Sequence, residues 1–495
     1  MFLFRIIVLL VNLIIYYLPG NFDPNVKFYL LTVLLAGTVL MEVKQLWKQQ
    51  EPYFYIHPFF LSLMVMFGLV FGGVVNFILY TEGGYFIKVF GYKLFEEREW
   101  LVRAMFIVNI AAVATAVGYH LQFGQTLYKG FRSIPLYNRI LESDIALNRI
   151  FFFAAVAYLI KFYLFNIGLY GRILDEKYFD QEVGFKLGSQ IRILGDFSYI
   201  TFFIISLKKF KEPSFSINVA FYLSLVLEMF FGFIYGARSP FIIPILILTF
   251  TNYYVTRKIK VQNLLILLVV IYLAFSVVLE FKNYVLSKDF SRSSSTVEVI
   301  QSFSEKKNFY VQKNTDAFGL DEVFYTTLTS VTFVPEMAVA IRQKDKFGMD
   351  HLDFPNILNT LFWFPFDAFV PRFLQGQNEF RWGYWFKEEV IEMNKGVNYS
   401  IAMSPIGFLY MGGGLVLVIL GFLVYGVLIR FAACFLHEGN LFSILLYFII
   451  STTLINLDSI YSNSLIYLTR YLFIFSIILW FLIGSRNRES SLRAN

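Results

Sequence analysis

The sequence predicts an all-α polytopic membrane protein with about twelve transmembrane helices and a large polar loop late in the chain. Of its 495 residues, 57% are hydrophobic and 16% are charged. Soluble proteins are nearer half apolar and a quarter charged. The mean hydropathy is +0.61, and apolar runs long enough to cross a bilayer as helices recur along the chain. These observations favour a membrane protein over a soluble one.

The first apolar run, residues 2–18, resembles a secretory signal peptide because it is short and carries Arg5 near its start. It ends in Tyr-Tyr-Leu-Pro-Gly at 16–20 with no small-residue cleavage site, so we predict a first transmembrane helix instead. Further runs lie at 28–46, 58–80, 101–121, 150–168, 194–207, 215–235, 240–256, 262–281, 404–430, 441–457 and 464–483. The run at 194–207 is the shortest of them.

These runs divide the chain into three parts. Residues 1–281 hold the first nine predicted transmembrane helices, and residues 404–495 hold the last three and a cytoplasmic tail. Between them, residues 282–403 form one long polar stretch that contains many aromatic residues. We predict a large external loop with interfacial helices, because long loops of this composition are more often functional than simple connections.

Positive charge collects in alternate loops and so predicts the orientation of the chain. The basic residues concerned are Lys129, Arg132, Arg139 and Arg149; Lys208, Lys209 and Lys211; Arg257, Lys258 and Lys260; and Arg486, Arg488 and Arg493. All of them fall on one side, together with Arg5, if the predicted number of helices holds. Both termini are therefore predicted to be cytoplasmic, and the stretch 282–404 is predicted to lie outside.

Several kinds of chemistry have no support in the sequence. The net charge of +7 reflects the basic loops and does not indicate nucleic-acid binding. The single cysteine, Cys434, rules out an intramolecular disulfide, and the four histidines show no metal-ligand spacing. No nucleotide-binding loop and no Asp-x-Asp motif occur. We therefore predict neither a metal nor another cofactor.

Arginines predicted to lie outside are informative, because membrane insertion disfavours them there. Arg238 belongs to the turn Tyr-Gly-Ala-Arg-Ser-Pro at 235–240, which forms almost the whole connection between two predicted helices. Lys282 follows the last helix before the long stretch. An interfacial arginine on a lipid phosphate and a snorkelling lysine are the alternative interpretations.

Further side chains predicted to lie outside suggest that the ligand is an anionic glycan. Arg172 lies in the loop 169–193, and the long stretch carries Arg372, Arg381, Trp382 and Tyr384. Arginine binds phosphate in a bidentate manner and stays charged, while aromatic rings stack on sugars. Taken singly, each of these arginines is better explained as a solvated loop charge. An interfacial aromatic belt is the alternative for the aromatic residues, and we expect it for most of Phe362–Phe369.

Glu228 is an acidic candidate because it lies inside a predicted membrane helix, a few turns before Arg238. A carboxylate there is costly to place in lipid and is a functional candidate by default. A polar contact between helices is the alternative. No spacing among the acidic residues of the long stretch marks a carboxylate pair of the glycosidase type.

The layout resembles the Wzy-type O-antigen and capsule repeat-unit polymerases. The similarity lies in the late external loop, the Gly-Ala-Arg-Ser turn, Pro371-Arg372, and the exit Ser-Pro-Ile-Gly-Phe-Leu-Tyr-Met-Gly-Gly-Gly at 404–414. Local matches cover about 230–285 and 355–430. In both external loops an arginine is followed by a glycine: Arg172 and Gly188 bracket fifteen residues, and Arg372 and Gly383 bracket ten.

The resemblance implies a metal-independent C-type glycosyltransferase in a bacterial inner membrane. Such an enzyme moves a glycan from undecaprenyl pyrophosphate onto a new lipid-linked repeat unit, with inversion at the anomeric carbon. It implies Arg238, Arg372 and Glu228 as catalytic candidates, and Arg172, Lys282, Arg381, Trp382 and Tyr384 as substrate-binding ones. A chain-length regulator and a flippase of the same pathway are the implied protein partners.

Two alternatives remain open. O-antigen ligases share the plan but carry a histidine shortly before the re-entry segment, where this chain reads Asn-Lys-Gly-Val-Asn-Tyr at 394–399. A transporter of lipid-linked oligosaccharide is expected to have duplicated halves and charged or broken helices near the bilayer centre. Neither feature is evident in the sequence.

Overall fold

The structure is a computed structural model that describes residues 2–49, 51, 53–68, 98–135, 147–166, 195–235, 238–258, 265–266, 269, 334–348, 404–455 and 472. Within these ranges the fold is helical and contains no strand. The predicted all-α class is therefore confirmed.

The helices are numbered here in chain order. They are α1 Phe2–Tyr16, α2 Pro24–Lys48, α3 Pro58–Gly68, α4 Glu99–His120, α5 Phe123–Arg132, α6 Leu147–Asn166, α7 Phe197–Lys211, α8 Phe215–Ile234, α9 Arg238–Thr256, α10 Val334–Phe347, α11 Pro405–Leu436 and α12 Leu441–Ile455. A short 3₁₀ turn, Phe54–Ile56, precedes α3.

Five helices, α2, α4, α6, α8 and α11, are long and apolar enough to cross a membrane. They coincide with the predicted runs at 28–46, 101–121, 150–168, 215–235 and 404–430, and α1, α3, α9 and α12 are shorter apolar helices. Exposed side chains such as Val33 on α2 and Val226 on α8 are apolar, as lipid contact requires. The predicted number of about twelve crossings and their orientation stay predictions, because 262–281 and 464–483 lie largely outside the described residues.

Side chains at the helix starts explain several boundaries. The Ser214 hydroxyl accepts a hydrogen bond from the backbone of Ile217, and that of Ser404 accepts one from Gly407 at 3.1 Å. Pro405 then occupies the first turn of α11, where no backbone donor is needed. The segment 404–407, where the chain is predicted to re-enter the membrane, is therefore the capped start of helix α11.

The chain forms two compact units: residues 1–141 with 328–473, and residues 142–327 with 474–495. In the first unit, α4 is the central helix, buried over most of its length and packed against α1, α2, α10 and α11. Its small residues allow close approach. A Cβ on Gly118 would collide with the carbonyl of Leu423, and one on Gly426 with that of Thr115. Tight packing through small residues is the usual way in which membrane helices associate.

The second unit contains α6, α7, α8 and α9. Residues 200–207 of α7 are buried between the other three helices. With 15 residues, α7 is shorter than a usual membrane span, so the predicted crossing at 194–207 stays a prediction. Helix α8 ends at Ile234 and α9 begins at Arg238, which confirms the short connection predicted there.

Helix α11 is broken at Gly413 and Gly414. Gly414 has φ of 64° and ψ of −154°, a backbone conformation open almost only to glycine. The break separates a short first segment, 405–412, from a second segment, 415–436. At ~1.5 Å per residue the second segment is roughly 33 Å long and can cross a bilayer by itself. The break therefore lies close to one end of the crossing.

Candidate functional site

Helix α10 is the described helix of the long stretch 282–403, and it belongs to the first unit. Its residues 337–341 are buried and pack on α4 and on the first segment of α11. The residues that follow, 342–346, carry charged side chains next to the N-terminal ends of α4 and α11. The long stretch is thus attached to the membrane helices at this position.

Three side chains from three helices meet there, and we call them the Arg103 cluster. A guanidinium nitrogen of Arg103 lies 2.9 Å from the carboxylate of Asp345 and donates to the Tyr410 hydroxyl at 3.0 Å. That hydroxyl donates in turn to both carboxylate oxygens of Asp345, at 3.0 and 3.1 Å. Arg103 comes from α4, Asp345 from α10 and Tyr410 from α11. With 35% of the Arg103 side-chain surface exposed, the cluster is partly accessible to solvent.

Lys344 makes a second connection between α10 and α11. Its ammonium donates to the carbonyl oxygen of Met411 at 2.7 Å. This carbonyl belongs to the last turn of the segment 405–412, whose helical hydrogen bonding stops at the break. A cation at a helix C-terminus satisfies such a carbonyl and interacts favourably with the helix dipole. The break at Gly413 and Gly414 is therefore stabilised from α10.

The cluster and the capped break lie at the same end of the first unit. Tyr16, the last residue of α1, stacks on Phe106 of α4 at 4.4 Å between ring centroids. The predicted orientation places the end of α1, the start of α4 and the start of α11 outside. All three helix ends come together here, and which side of the membrane they face stays a prediction.

Of the residues predicted from sequence, Glu228 is fully described. Its carboxylate Oε2 lies 2.8 Å from the ammonium of Lys161, and both side chains are completely buried. The Lys161 ammonium also lies 4.5 Å from the centre of the Tyr199 ring. The second oxygen, Oε1, has no hydrogen-bond partner among the described residues. This geometry is that of a polar contact between α6 and α8, and a catalytic role for Glu228 stays a prediction.

The other predicted residues are described only in part or not at all. Arg238 is the first residue of α9, where its backbone is described but its side chain is not. A Cβ on Gly232 would lie 2.6 Å from the carbonyl oxygen of Pro240, so α8 and α9 approach closely beside this turn. The remaining candidates, Arg172, Lys282, Arg372, Arg381, Trp382 and Tyr384, lie outside the described residues.

At the opposite end of the first unit, a buried ion pair joins α1 to α2. Arg5 donates from Nε and Nη2 to the two carboxylate oxygens of Glu42, at 2.7 and 2.9 Å. The Nε2 of His120 lies 3.2 Å from the same carboxylate. Two charges are stable in this setting because both carboxylate oxygens are paired. The sequence contained an indication of this buried pair, because Glu42 is a charged residue inside the predicted span 28–46.

His120 also borders a polar cleft of about 430 Å³ formed by the ends of α2, α4 and α11 and the start of α5. We call it the Arg430 cleft, after the guanidinium on its wall. Arg430 donates to the Tyr119 hydroxyl at 2.8 Å and lies 5.1 Å from the centre of that ring. Glu51 and His437 face each other across the cleft wall, with Oε1 and Nε2 2.9 Å apart.

His57 lies behind this wall and is completely buried. Its Nδ1 accepts from the backbone of Phe59 at 3.3 Å, so its Nε2 carries the proton and faces the Tyr119 hydroxyl at 3.2 Å. Burial lowers the pKa of His57 to about 3, against the weaker opposing effect of Glu51. Burial alone would raise the pKa of Glu51, but the adjacent His437 outweighs it and holds this pKa below its usual value.

Glu51, His57 and His437 present ligand atoms within 4.8 Å of one another, a spacing that could hold a metal ion. The hydrogen bonds of His57 do not suit this role, because neither ring nitrogen keeps a free lone pair. Arg430 also places a permanent positive charge beside the group. The three side chains therefore fit a hydrogen-bonded wall better than a metal centre.

Comparison with known proteins adds no relative to these observations: no family model, no curated protein and no solved structure matches the chain.

Proposed function

We propose that the chain is a membrane glycosyltransferase that polymerises lipid-pyrophosphate-linked oligosaccharide repeat units at the outer face of a bacterial inner membrane. The support from sequence is the resemblance to Wzy-type polymerases and the set of arginines predicted to lie outside. The support from the described residues is the way in which the long stretch is attached.

The Arg103 cluster carries the proposal. In the sequence, residues 349–403 connect the end of α10 to the start of α11 at Ser404. Asp345 contacts Tyr410 and Lys344 contacts Met411, so the two ends of this segment are joined to each other. Four of the predicted residues, Arg372, Arg381, Trp382 and Tyr384, belong to this segment. The two described helices on either side of these residues therefore hold each other in place.

The proposed chemistry needs few protein groups. Expulsion of a lipid pyrophosphate develops negative charge on the leaving group, and fixed guanidinium groups can stabilise that charge without a metal. Arg238 and Arg372 are proposed for this role. A carboxylate that accepts the proton of the acceptor hydroxyl would complete inverting transfer in one step. The acidic residues of the long stretch supply candidates for it.

Reconstitution tests this proposal. The purified protein in lipid vesicles is incubated with a polyprenyl-pyrophosphate oligosaccharide, without nucleotide sugar and with a chelator present. We expect products that are whole multiples of the repeat unit, resolved on a gel. Extension that requires a nucleotide sugar or a divalent metal would refute the proposed mechanism. Transfer of the glycan to a lipid A-core acceptor, without multiples, would show a ligase instead.

A transporter is the second candidate, because the structure contains features that the sequence did not reveal. Helix α11 is broken, and charged pairs are buried at Arg5–Glu42 and at Lys161–Glu228. The position of the break argues against it, since the second segment of α11 is long enough to cross the bilayer alone. A fluorescent lipid-linked oligosaccharide in sealed vesicles distinguishes the two: a transporter changes its accessibility from outside, and a polymerase changes its length.

A further inference from the structure

The Arg430 cleft lies at the end of the first unit opposite the Arg103 cluster and has no part in the proposed polymerisation. Along α4, Arg103 and Tyr119 are about 24 Å apart at ~1.5 Å per residue. The predicted orientation places the cleft on the cytoplasmic side. We propose that this cleft is a second binding site, and that it takes the phosphoryl group of an anionic lipid or of a soluble phosphate.

The charges of the cleft favour an anion. Glu51 is the carboxylate of its lining, and His437 lies 2.9 Å from it. Arg430 has no ion-pair partner among the described residues, and one hydrogen bond, to Tyr119, uses a single nitrogen of its guanidinium. The guanidinium carbon lies 5.1 Å from the centre of the same tyrosine ring, so Tyr119 contacts this group in two ways. A guanidinium with this geometry matches two phosphoryl oxygens.

Neutral donors complete the lining. The cleft is also bordered by Gln49, Gln122 and Gln125, whose side-chain amides can donate to the remaining oxygens of a phosphoryl group. These residues lie at or beyond the ends of α2 and α4, where the chain leaves the apolar part of the helices. The cleft is therefore accessible from the aqueous side or from the headgroup region of the bilayer.

Helix α5 sets the position of the cleft and supports contact with lipid. A Cβ on Gly124 would lie 2.7 Å from the carbonyl oxygen of Val427, so the start of α5 is pressed onto α11. Phe123 and Leu127 remain exposed on this short helix, whose last turn carries Lys129 and Arg132. Exposed apolar groups beside basic ones are typical of a helix that lies on an anionic membrane surface.

The first experiment uses the single cysteine of the chain as a reporter. Cys434 lines the cleft and is half-buried, so a bound phosphoryl group should shield it. The rate of maleimide labelling is measured on the full-length protein in neutral detergent, with increasing inorganic pyrophosphate. The second experiment reconstitutes the protein in nanodiscs of phosphatidylcholine with or without phosphatidylglycerol. Lipid that stays bound to the protein after its release from the nanodisc is identified by native mass spectrometry.

Arg430→Gln is the test variant and Arg257→Gln its matched control. Arg257 also lies over a tyrosine, 5.3 Å from the centre of the Tyr254 ring, but it belongs to the second unit. Loss of one charge-assisted contact should weaken binding by roughly tenfold or more in Arg430→Gln, and Arg257→Gln should match the wild type. Arg430→Lys, which keeps the charge, should retain part of the affinity.

Saturable slowing of labelling by pyrophosphate identifies a soluble phosphate as ligand, and selective retention of phosphatidylglycerol identifies a lipid headgroup. Whichever effect the wild type shows should weaken by roughly tenfold or more in Arg430→Gln and persist in Arg257→Gln. If Arg430→Gln does not fold, Gln125→Ala serves as the second variant and should weaken the same effect. The proposal is overturned if the wild type shows neither effect, or if the effect is unchanged by these cleft variants.

Discussion

The guanidinium of Arg103 and the carboxylate of Asp345 lie 2.9 Å apart although the two residues come from helices that are far apart in the sequence. Their contact, with Tyr410 between them, is the clearest connection between the long polar stretch and the membrane helices. Because both side chains are partly exposed, the ion pair alone contributes only about 1 kcal/mol to stability. It also joins α10 to the N-terminal ends of α4 and α11.

The first prediction concerns this connection. Asp345→Asn removes the ion pair and keeps the shape, so the free energy of unfolding should fall by only about 1 kcal/mol. The attachment of α10 to α4 and α11 should weaken more than the overall stability. We therefore expect faster proteolysis within 349–403 and shorter polymer. Arg103→Gln should have the same effect, and the double variant should be no worse than either single one. Additive losses of polymer length in the double variant would show that the pair does not act as a unit.

The second prediction concerns the break in α11. An alanine at Gly414 cannot adopt φ of 64° with ψ of −154° without strain, so Gly414→Ala should destabilise the protein by roughly 1–3 kcal/mol. Gly37→Ala is the matched control, because this glycine is helical and a Cβ there meets nothing within 4 Å. That control should be neutral or slightly stabilising. Thermal unfolding in detergent measures both, and equal effects would contradict a strained break.

Local features of this fold could be predicted from the sequence, and distant pairings could not. The start of α11 at Ser404 and Pro405 depends on neighbouring residues, and so does the short turn before Arg238. The Arg103 cluster depends on residues up to 307 positions apart, which no periodicity reveals. In the sequence, Arg103 lies near the start of the predicted run 101–121 and Glu42 lies inside the run 28–46. Each has its partner only after the helices pack.

The third prediction separates two interpretations of Glu228. Glu228→Gln leaves the buried Lys161 without its counter-ion, and breaking such a pair typically costs about 3–5 kcal/mol. The double variant Lys161→Met with Glu228→Gln removes both charges and should recover much of that stability. If the double variant folds and polymerises, Glu228 is a polar contact between helices. If it folds and remains inactive, the catalytic role predicted from the sequence is supported.

The fourth prediction is a dependence of stability on pH. Folded His57 has a pKa of about 3, whereas its ordinary value is 6.5. Between these two values the unfolded chain binds a proton that the folded protein does not, so stability falls as the pH falls below 6.5. The loss is about 1.4 kcal/mol per pH unit, or roughly 2 kcal/mol between pH 6.5 and 5.

Thermal unfolding at pH 7.5, 6.5 and 5 measures this dependence. His57→Gln should be less stable at every pH and should lose most of the slope. An unchanged slope in His57→Gln would assign the dependence to another group.

The last prediction concerns Arg238 and Arg372, which we propose to contact the lipid pyrophosphate. Losing a charge-assisted contact made mainly in the transition state should lower turnover on the order of a hundredfold or more. Replacement by lysine keeps the charge but not the planar fork, so Arg→Lys should restore activity only in part. An arginine that merely anchors a loop to lipid would be replaced by lysine with little loss. Chain-length distribution on gels, with membrane abundance checked, measures Arg→Ala and Arg→Lys at both positions. Normal polymer from Arg238→Ala at normal abundance would exclude that residue from the mechanism, and the same holds separately for Arg372.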